Sequence, residues 1–430
     1  MRFVRAHEIP AGGALGWLPR LALLLALSMV GAASAARAQA AQPSAEPDGG
    51  HGNGQTSYRV INLGPGTIAM YPKINASGQV AFSLINDGRI TGFFYDGARV
   101  ANIGSLGGSA VYTYGLNDAG QIAGTSINEH GVENAFVWRA GQGMLDIRAE
   151  PDRGRSYGMA INRLGIVTGS FGDSARPFRW SAAGGVEDLG VMPALPWPTT
   201  GALLSDSGLI AGVATIEEET TRAFVWSRAT GLVDIDTLGS IDSAPVAIGA
   251  GGEVAGNRLA SYDDGGDRPF LWTRATGMVD LGIGRGSAAW VNAMTPGLHI
   301  AGGVGYPDGR QRAMSWTRQG GMRELGTLGG RTSIARAVNA RGQIVGFAEN
   351  KLGAMRAFVW SAGGGMRDLN AVLRNAPRGL VLEHAMAIND SGAIVASANT
   401  GLVLLKPVER QHGGHDAGAG SVPGAAVVEE

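Results

Sequence analysis

A phrase of the form Asn-x-x-Gly-x-(Ile/Val)-x-Gly returns along this chain every 42 to 50 residues, and nothing else in the sequence narrows the fold as much. It reads Asn75…Gly78-Gln79-Val80, Asn117…Gly120-Gln121-Ile122-Ala123-Gly124 and Asn162…Gly165-Ile166-Val167-Thr168-Gly169. It comes back as Asn339…Gly342-Gln343-Ile344-Val345-Gly346 and Asn389…Gly392-Ala393-Ile394. Degenerate copies stand at Ser205…Gly208, Gly249…Gly252 and Met294…Gly297, the last needing a one-residue insertion, which makes eight copies.

Two further phrases travel with the first. Ala/Pro-Phe-x-Trp supplies Trp138, Trp180, Trp226, Trp272, Trp316 and Trp360, with Tyr95 in the first unit's slot and Gly401-Leu402-Val403-Leu404 in the last. After each tryptophan comes a short apolar stretch ending on an acid: Asp146, Asp188, Asp234, Asp280, Glu324 and Asp368, with Asn62 and Asn102 in the first two units. One unit therefore offers four β-like segments, for example residues 321–325, 334–339, 343–348 and 356–360. Asn-x-x-Gly suits the turn between the middle two, because Asn and Gly tolerate the positive φ of tight hairpins. No apolar pattern of helical period runs for a useful length after residue 40.

Four strands per repeat of this size, repeated eight times, predict an all-β chain folded as an eight-bladed β-propeller over residues 58–407. The alternative is a β-solenoid. A solenoid needs atypical polar end units, whereas the terminal units here keep the apolar pattern, and a closed ring needs no caps. The 70 glycines among 430 residues, more than twice the usual ~7%, are then mainly repeated turns.

The flanks are of another kind. Arg2, Arg5 and Arg20 precede an apolar run over residues 21–36 and the triplet Ala38-Gln39-Ala40, the pattern of a secretory signal peptide over residues 1–40. Its removal takes away four arginines and one glutamate and moves the net charge from −1 to −4. Residues 41–57 read as a flexible linker and 408–430 as a disordered tail, and no later stretch is apolar enough to span a bilayer. These features predict an exported, periplasmic or secreted bacterial protein. With no cysteine, it has neither disulfides nor a thiol nucleophile. Near-neutral charge argues against nucleic acid as a partner, and a monomer is expected.

A charge column accompanies the repeat. Asn134, Arg176, Arg222, Arg268, Arg312 and Arg356 each precede the acid of the following phrase by 12 residues. A three-residue turn is expected to set each arginine directly opposite its acid, beside the Phe and Trp of its own strand. Recurrence with a fixed partner favours a structural pairing over a ring of anion-binding arginines.

These phrases resemble the bacterial HAF-repeat family of probable extracellular repeat proteins. The family has His-Ala-Phe before its tryptophan, a Leu-Gly-x-Leu-Gly-Gly stretch and an Ile-Asn-x-x-Gly turn. The stretch stands here as Leu325-Gly326-Thr327-Leu328-Gly329-Gly330, and more loosely as Ile103-Gly104-Ser105-Leu106-Gly107-Gly108. The histidine is missing from all six slots, five of which hold arginine. The resemblance covers nearly all of residues 58–407 and implies an extracellular location and a repeat architecture, with no reaction attached.

Chemistry would have to come from residues that break the repeat. His51, His130, His299, His384, His412 and His415 show no ligand spacing, and His412-Gly-Gly-His415 reads as solvated tail. Glu217-Glu218-Glu219 and Asp263-Asp264-Gly265-Gly266-Asp267 are acidic insertions. In the second, Asp263, Asp264 and Asp267 suit calcium, but the bidentate Glu of a calcium loop is missing, and a solvated turn is the simpler reading. Trp197, between Pro196 and Pro198, and Trp290 are aromatic insertions suited to a binding surface or to packing a loop. No catalytic, cofactor-binding or metal-binding residue is assigned. The expected function is a non-catalytic binding or surface-interaction module for a protein or glycan. The alternative is a propeller enzyme acting on polysaccharide through loop carboxylates. An enzyme should bring two or more non-repeat acids together at the channel mouth.

Overall fold

A computed structural model describes residues 56–147, 154–172, 175–191, 199–217, 220–261 and 266–408. The predicted signal peptide, the predicted linker up to residue 55 and the predicted tail from 409 lie outside the described residues.

The strands form eight blades of four antiparallel strands each, a β-propeller, with a single parallel bridge from Ile90 to Ala110 joining blades 1 and 2. The innermost strands are Thr67–Ile74, Gly107–Leu116, Ser156–Ile161, Thr199–Leu204, Asp242–Ile248, Ala288–Met294, Gly329–Val338 and Leu382–Ile388. Each of them contacts the innermost strand of the next blade, and the last contacts the first, so they enclose a central channel. This closure excludes the solenoid.

The sequence repeat and the blade are out of phase by one strand. Strand β1 (Ser57–Gly64) does not belong to blade 1; it pairs with Gly401–Val408 as the fourth strand of blade 8, with Ser57 opposite Val408, and the short strand Leu373–Arg374 pairs with it in parallel on its outer side. Each sequence unit thus gives its first segment to one blade and the other three to the next. The N-terminal strand fills the place left open at the end, and it starts at Ser57, one residue inside the predicted linker.

The repeated phrases now have physical reasons. In every complete Asn-x-x-Gly turn the Asn Oδ1 accepts an N–H of its own turn, as from Gln79 at 2.9 Å and Gln121 at 3.0 Å. The Nδ2 reaches the next blade. Asn75 donates to the carbonyl of Asn117 (3.1 Å), Asn117 to that of Asn162 (3.0 Å) and Asn162 to that of Ser205 (3.0 Å). Asn339 donates to Asn389 (3.0 Å), and Asn389 donates across the closure to Asn75 (2.9 Å). Ser205 and Gly249 have no amide to give. In blade 6 the turn starts at Thr295 rather than Met294 and needs no insertion. Met294 pairs with Ile300 as Leu116 pairs with Ile122, and Leu298 takes the glycine position at φ 63°. Other polar ties serve that arc: Asn257 exchanges two hydrogen bonds with Val291 (3.1 and 2.7 Å), and Asn292 donates to the carbonyl of Ala335 (2.8 Å).

The phenylalanines of the Trp phrase, Phe136, Phe178, Phe224, Phe270 and Phe358, are wholly buried, each contributing roughly 1.5–3 kcal/mol. Opposite each ring the second strand carries glycine. A Cβ on Gly169 would lie 1.7 Å from the carbonyl oxygen of Tyr157, and one on Gly212 1.9 Å from that of Thr200. These glycines are required for close approach inside the blade, not for turns.

The arginine–acid pairing needs correction. A three-residue turn sets Ser181 opposite Gly185, and therefore Phe178, not Arg176, opposite Asp188. The arginine reaches its acid diagonally where it does so at all: Arg176–Asp188 at 2.5 Å, Arg222–Asp234 at 3.6 Å and Arg268–Asp280 at 3.9 Å. Arg258 of the second strand is the nearer partner of Asp280, at 2.5 Å. Arg312 donates to the carbonyls of Gln311 and Arg331, Arg356 to that of Met355, while Glu324 accepts from the Tyr306 hydroxyl. The recurring duty of the acid slot is a local turn. Asp188, Asp234, Asp280 and Asp368 each accept the N–H two residues on, at 2.6–2.8 Å. Asn62 and Asn102 do the same at 2.9 and 2.8 Å, which is why asparagine stands in for the acid there.

Candidate functional site

The two ends of the propeller differ in kind. At one end every link from the first to the second strand has five residues: 75–79, 117–121, 162–166, 205–209, 249–253, 295–299, 339–343 and 389–393. At the other end the second-to-third links run from two residues (87–88) to seven (260–266). The blade-to-blade crossings there run from two residues (65–66) to thirteen (369–381). The two four-residue crossings, 103–106 and 325–328, lie in the Leu-Gly-x-Leu-Gly-Gly stretches, whose Leu106 and Leu328 bridge to Asn128 and Asn350. Since Ser57 pairs with Val408, the chain enters and leaves the ring side by side at the constant end. The variable end stands clear of both.

On the innermost strands the repeat is broken along one arc. Blades 7, 8, 1, 2 and 3 carry Arg336, His384, Tyr71, Lys73, Tyr112, Tyr114 and Tyr157, where blades 4 and 5 carry Thr200, Ala202, Leu203, Ala244, Val246 and Ala247. Arg336 occupies a bulge beside Ala337, and its guanidinium lies over the Phe347 ring (5.2 Å) and the Tyr71 ring two blades away (5.7 Å). His384 meets Phe347 edge-on at 4.8 Å and contacts the Ser397 hydroxyl at 3.2 Å. Burial first, and then the Arg336 charge, hold its pKa below the usual histidine range, so the ring is neutral at pH 7. Tyr112 and Tyr114 stack at 6.2 Å, and burial raises both phenols. Lys73 is exposed to water on the innermost strand of blade 1, and the protein around it lowers its pKa.

At the variable end, blade 5 brings acids together. Asp242 and Asp267 flank Leu259, each paired with it across one strand. Burial raises both carboxyls; the charge of Asp242 adds to the effect on Asp267, and that of Asp236 to the effect on Asp242. Asp242 accepts from the backbone N–H of Thr221 (3.0 Å) and from its hydroxyl. Asp236 is 8% exposed; its Oδ1 accepts from Ser240, and its Oδ2 has no partner among the described residues.

The residues singled out from sequence are dispersed. Asp263 and Asp264 lie outside the described residues, so of the calcium loop only Asp267 is seen; Trp197, Glu218 and Glu219, His51, His412 and His415 also lie outside. Trp290 is not on a loop: it sits in the innermost strand of blade 6, and its indole lies on Gly303, where a Cβ would come within 2.3 Å of the ring. His130 is exposed beside Glu129, and His299 contacts the Ser315 hydroxyl at 2.7 Å. Among the described residues no group of three or more His, Asp or Glu is placed to hold a metal, and no helix is long and apolar enough to cross a membrane. Sequence reading passed over Lys73, Arg336, Tyr112 and Tyr114, which show only when each blade's innermost strand is aligned through its bulge.

No protein-family model matches the chain, and no curated protein does. Solved structures do resemble it. Dipeptidyl peptidase 4 of Porphyromonas gingivalis superposes with a TM-score of 0.52 at 12% identity, over 79% of this chain and 58% of that one. Virginiamycin B lyase from Staphylococcus aureus gives 0.40 at 13% identity, over 69% and 95%. YCF48 bound to D1 peptide gives 0.43 at 10% identity, over 83% and 98%. At such identities the likeness concerns the fold alone: this is a β-propeller.

Proposed function

We propose that this chain is an exported, non-catalytic propeller of the HAF-repeat kind, whose variable end binds a protein or glycan. The observation that carries this reading is the asymmetry of the ring. Link lengths are constant where both chain ends leave and variable at the end that stands clear, the pattern expected when a rigid scaffold presents loops to a partner. The signal-like residues 1–40 support export, and cell fractionation checks it. The binding test is a glycan and protein-ligand array, repeated with link 260–266 shortened to the two-residue form of blade 1. Loss of the captured ligand with an unchanged melting curve supports the reading. Capture that survives shortening of all the long links sinks it.

A second reading rests on Asp242 and Asp267. Hydrolysis of a glycosidic bond takes two neighbouring carboxyls, one protonated as acid and one ionised as base or nucleophile; here Asp242 and Asp267 stand at one mouth, and the charge of Asp242 helps to keep Asp267 protonated. Under it, the protein releases reducing sugar from a polysaccharide and Asp242→Asn stops the release. Absence of release across a polysaccharide panel removes this reading and leaves the first standing.

A further inference from the structure

Lys73 is the one residue of its kind on the innermost strands. Its cross-strand partner is Ala81, and the same position in the other seven blades, each paired with the equivalent residue, holds Gly115, Ala160, Leu203, Ala247, Ala293, Ala337 and Ala387. Six of these seven are glycine or alanine and none is charged, so the blade tolerates a small side chain at this level, two residues before the Asn75 turn. No hydrogen bond or ion pair to Lys73 is found among the described residues.

An exposed ammonium on the channel-lining strand, with no counter-charge beside it among the described residues, attracts dissolved anions. The other charges on the innermost strands do not supply one here. Asp242 and Arg331 begin their strands at the variable end, where Asp242 is tied to Thr221 and Arg331 to the carbonyl of Asp308. Arg336, on the same arc as Lys73, adds positive charge, and Glu383 sits in the first of two bulges of the blade 8 strand, next to its first residue Leu382 at the variable end. Aromatic faces accompany the cation: Tyr71 stands two residues away on the same strand, and Tyr112 and Tyr114 are on the neighbouring one.

We propose that the central channel is a binding site for a small anionic ligand, whose carboxylate or phosphate group is held by the Lys73 ammonium near the constant mouth. The site is separate from the variable end, and neither depends on the other.

The test is calorimetric titration of the full chain at low ionic strength, using sodium glucuronate and inorganic phosphate as probes. Lys73→Ala should fold, since alanine is what five other blades carry there, and Lys73→Arg keeps the charge. The wild type is expected to bind at least one probe. Lys73→Ala should weaken that binding about tenfold or more, the size of a lost charge-assisted hydrogen bond, and Lys73→Arg should retain most of it. Preference for glucuronate identifies a carboxylate ligand; preference for phosphate identifies a phosphorylated one. Lys406→Ala, whose ammonium lies over the Tyr95 ring in the third strand of blade 1, controls for general charge. Equal binding by wild type and Lys73→Ala, or no binding of either probe up to about 10 mM, overturns the proposal.

Discussion

The side chain of Asn389 in the last blade donates to the backbone carbonyl of Asn75 in the first at 2.9 Å, the same contact that Asn75 makes to Asn117 at 3.1 Å. Chain closure thus uses an ordinary blade boundary. Asn389→Ala removes both this bond and the turn bond from the Ala393 N–H (2.9 Å). It should cost about 1–3 kcal/mol in denaturant unfolding. Asn389→Asp keeps the turn acceptor, loses the donor and should fall between wild type and alanine.

Gly169 tests the crowding between the first and second strands. Gly169→Ala places a methyl 1.7 Å from the Tyr157 carbonyl oxygen and 3.0 Å from the Phe178 ring. It should destabilise by about 3 kcal/mol or more, because backbone has to move. Gly363→Ala, with nothing within 4 Å, should leave the melting temperature nearly unchanged. Similar losses in both would refute the steric account.

The acid slot separates turn chemistry from ion pairing. Asp280→Asn keeps the acceptor for the Gly282 N–H but deprives Arg258, 10% exposed, of its 2.5 Å partner. Asp188→Asn deprives only the more open Arg176. The Asp188 change should cost about 1 kcal/mol or less, and the Asp280 change clearly more. Unfolding midpoints of the two variants decide it.

Acidic blade 5 predicts a pH effect of definite sign. The carboxyl of Asp267 has its pKa raised in the folded protein, by burial and then by Asp242. It binds protons more readily folded than unfolded. Its stabilising contribution is therefore full below the unfolded carboxylate pKa and is lost as pH rises through the raised folded value. Asp267→Asn should gain on wild type in melting temperature at pH 7, and the gain should shrink as pH falls through the carboxylate range. A gap independent of pH would contradict the coupling.

Much of the architecture was legible because the repeat writes local constraints at fixed spacing. Asn-x-x-Gly needs its turn, and Ala/Pro-Phe-x-Trp needs its buried face. What escaped was the relation between elements. The 12-residue spacing from Arg176 to Asp188 gives no register until the hairpin is counted from Ser181 and Gly185, and then it is Phe178 that faces the acid. Trp290 looked like a loop aromatic because it matches no repeated phrase, yet the glycines at 303 and 305 make room for it inside blade 6. The cations and tyrosines of the channel arc were invisible for a related reason: the bulge before each turn shifts the period-two pattern by one, so Lys73 and Ala337 share a level without sharing a motif. Nor could the repeat reveal its own phase, since any four consecutive segments look like a unit.

That phase has a consequence for how the molecule comes into being. Strand β1 is made first, but its partner, Gly401–Val408, is made last. A chain emerging from its N-terminus carries an unsatisfied edge strand through the synthesis and passage of seven blades. Its contact with the last blade has very high sequence separation, which slows the final step. The first strand is therefore the segment most in need of protection against pairing with other molecules before the ring locks. Loss of a few residues inward from Ser57 or from Val408 strikes the same blade.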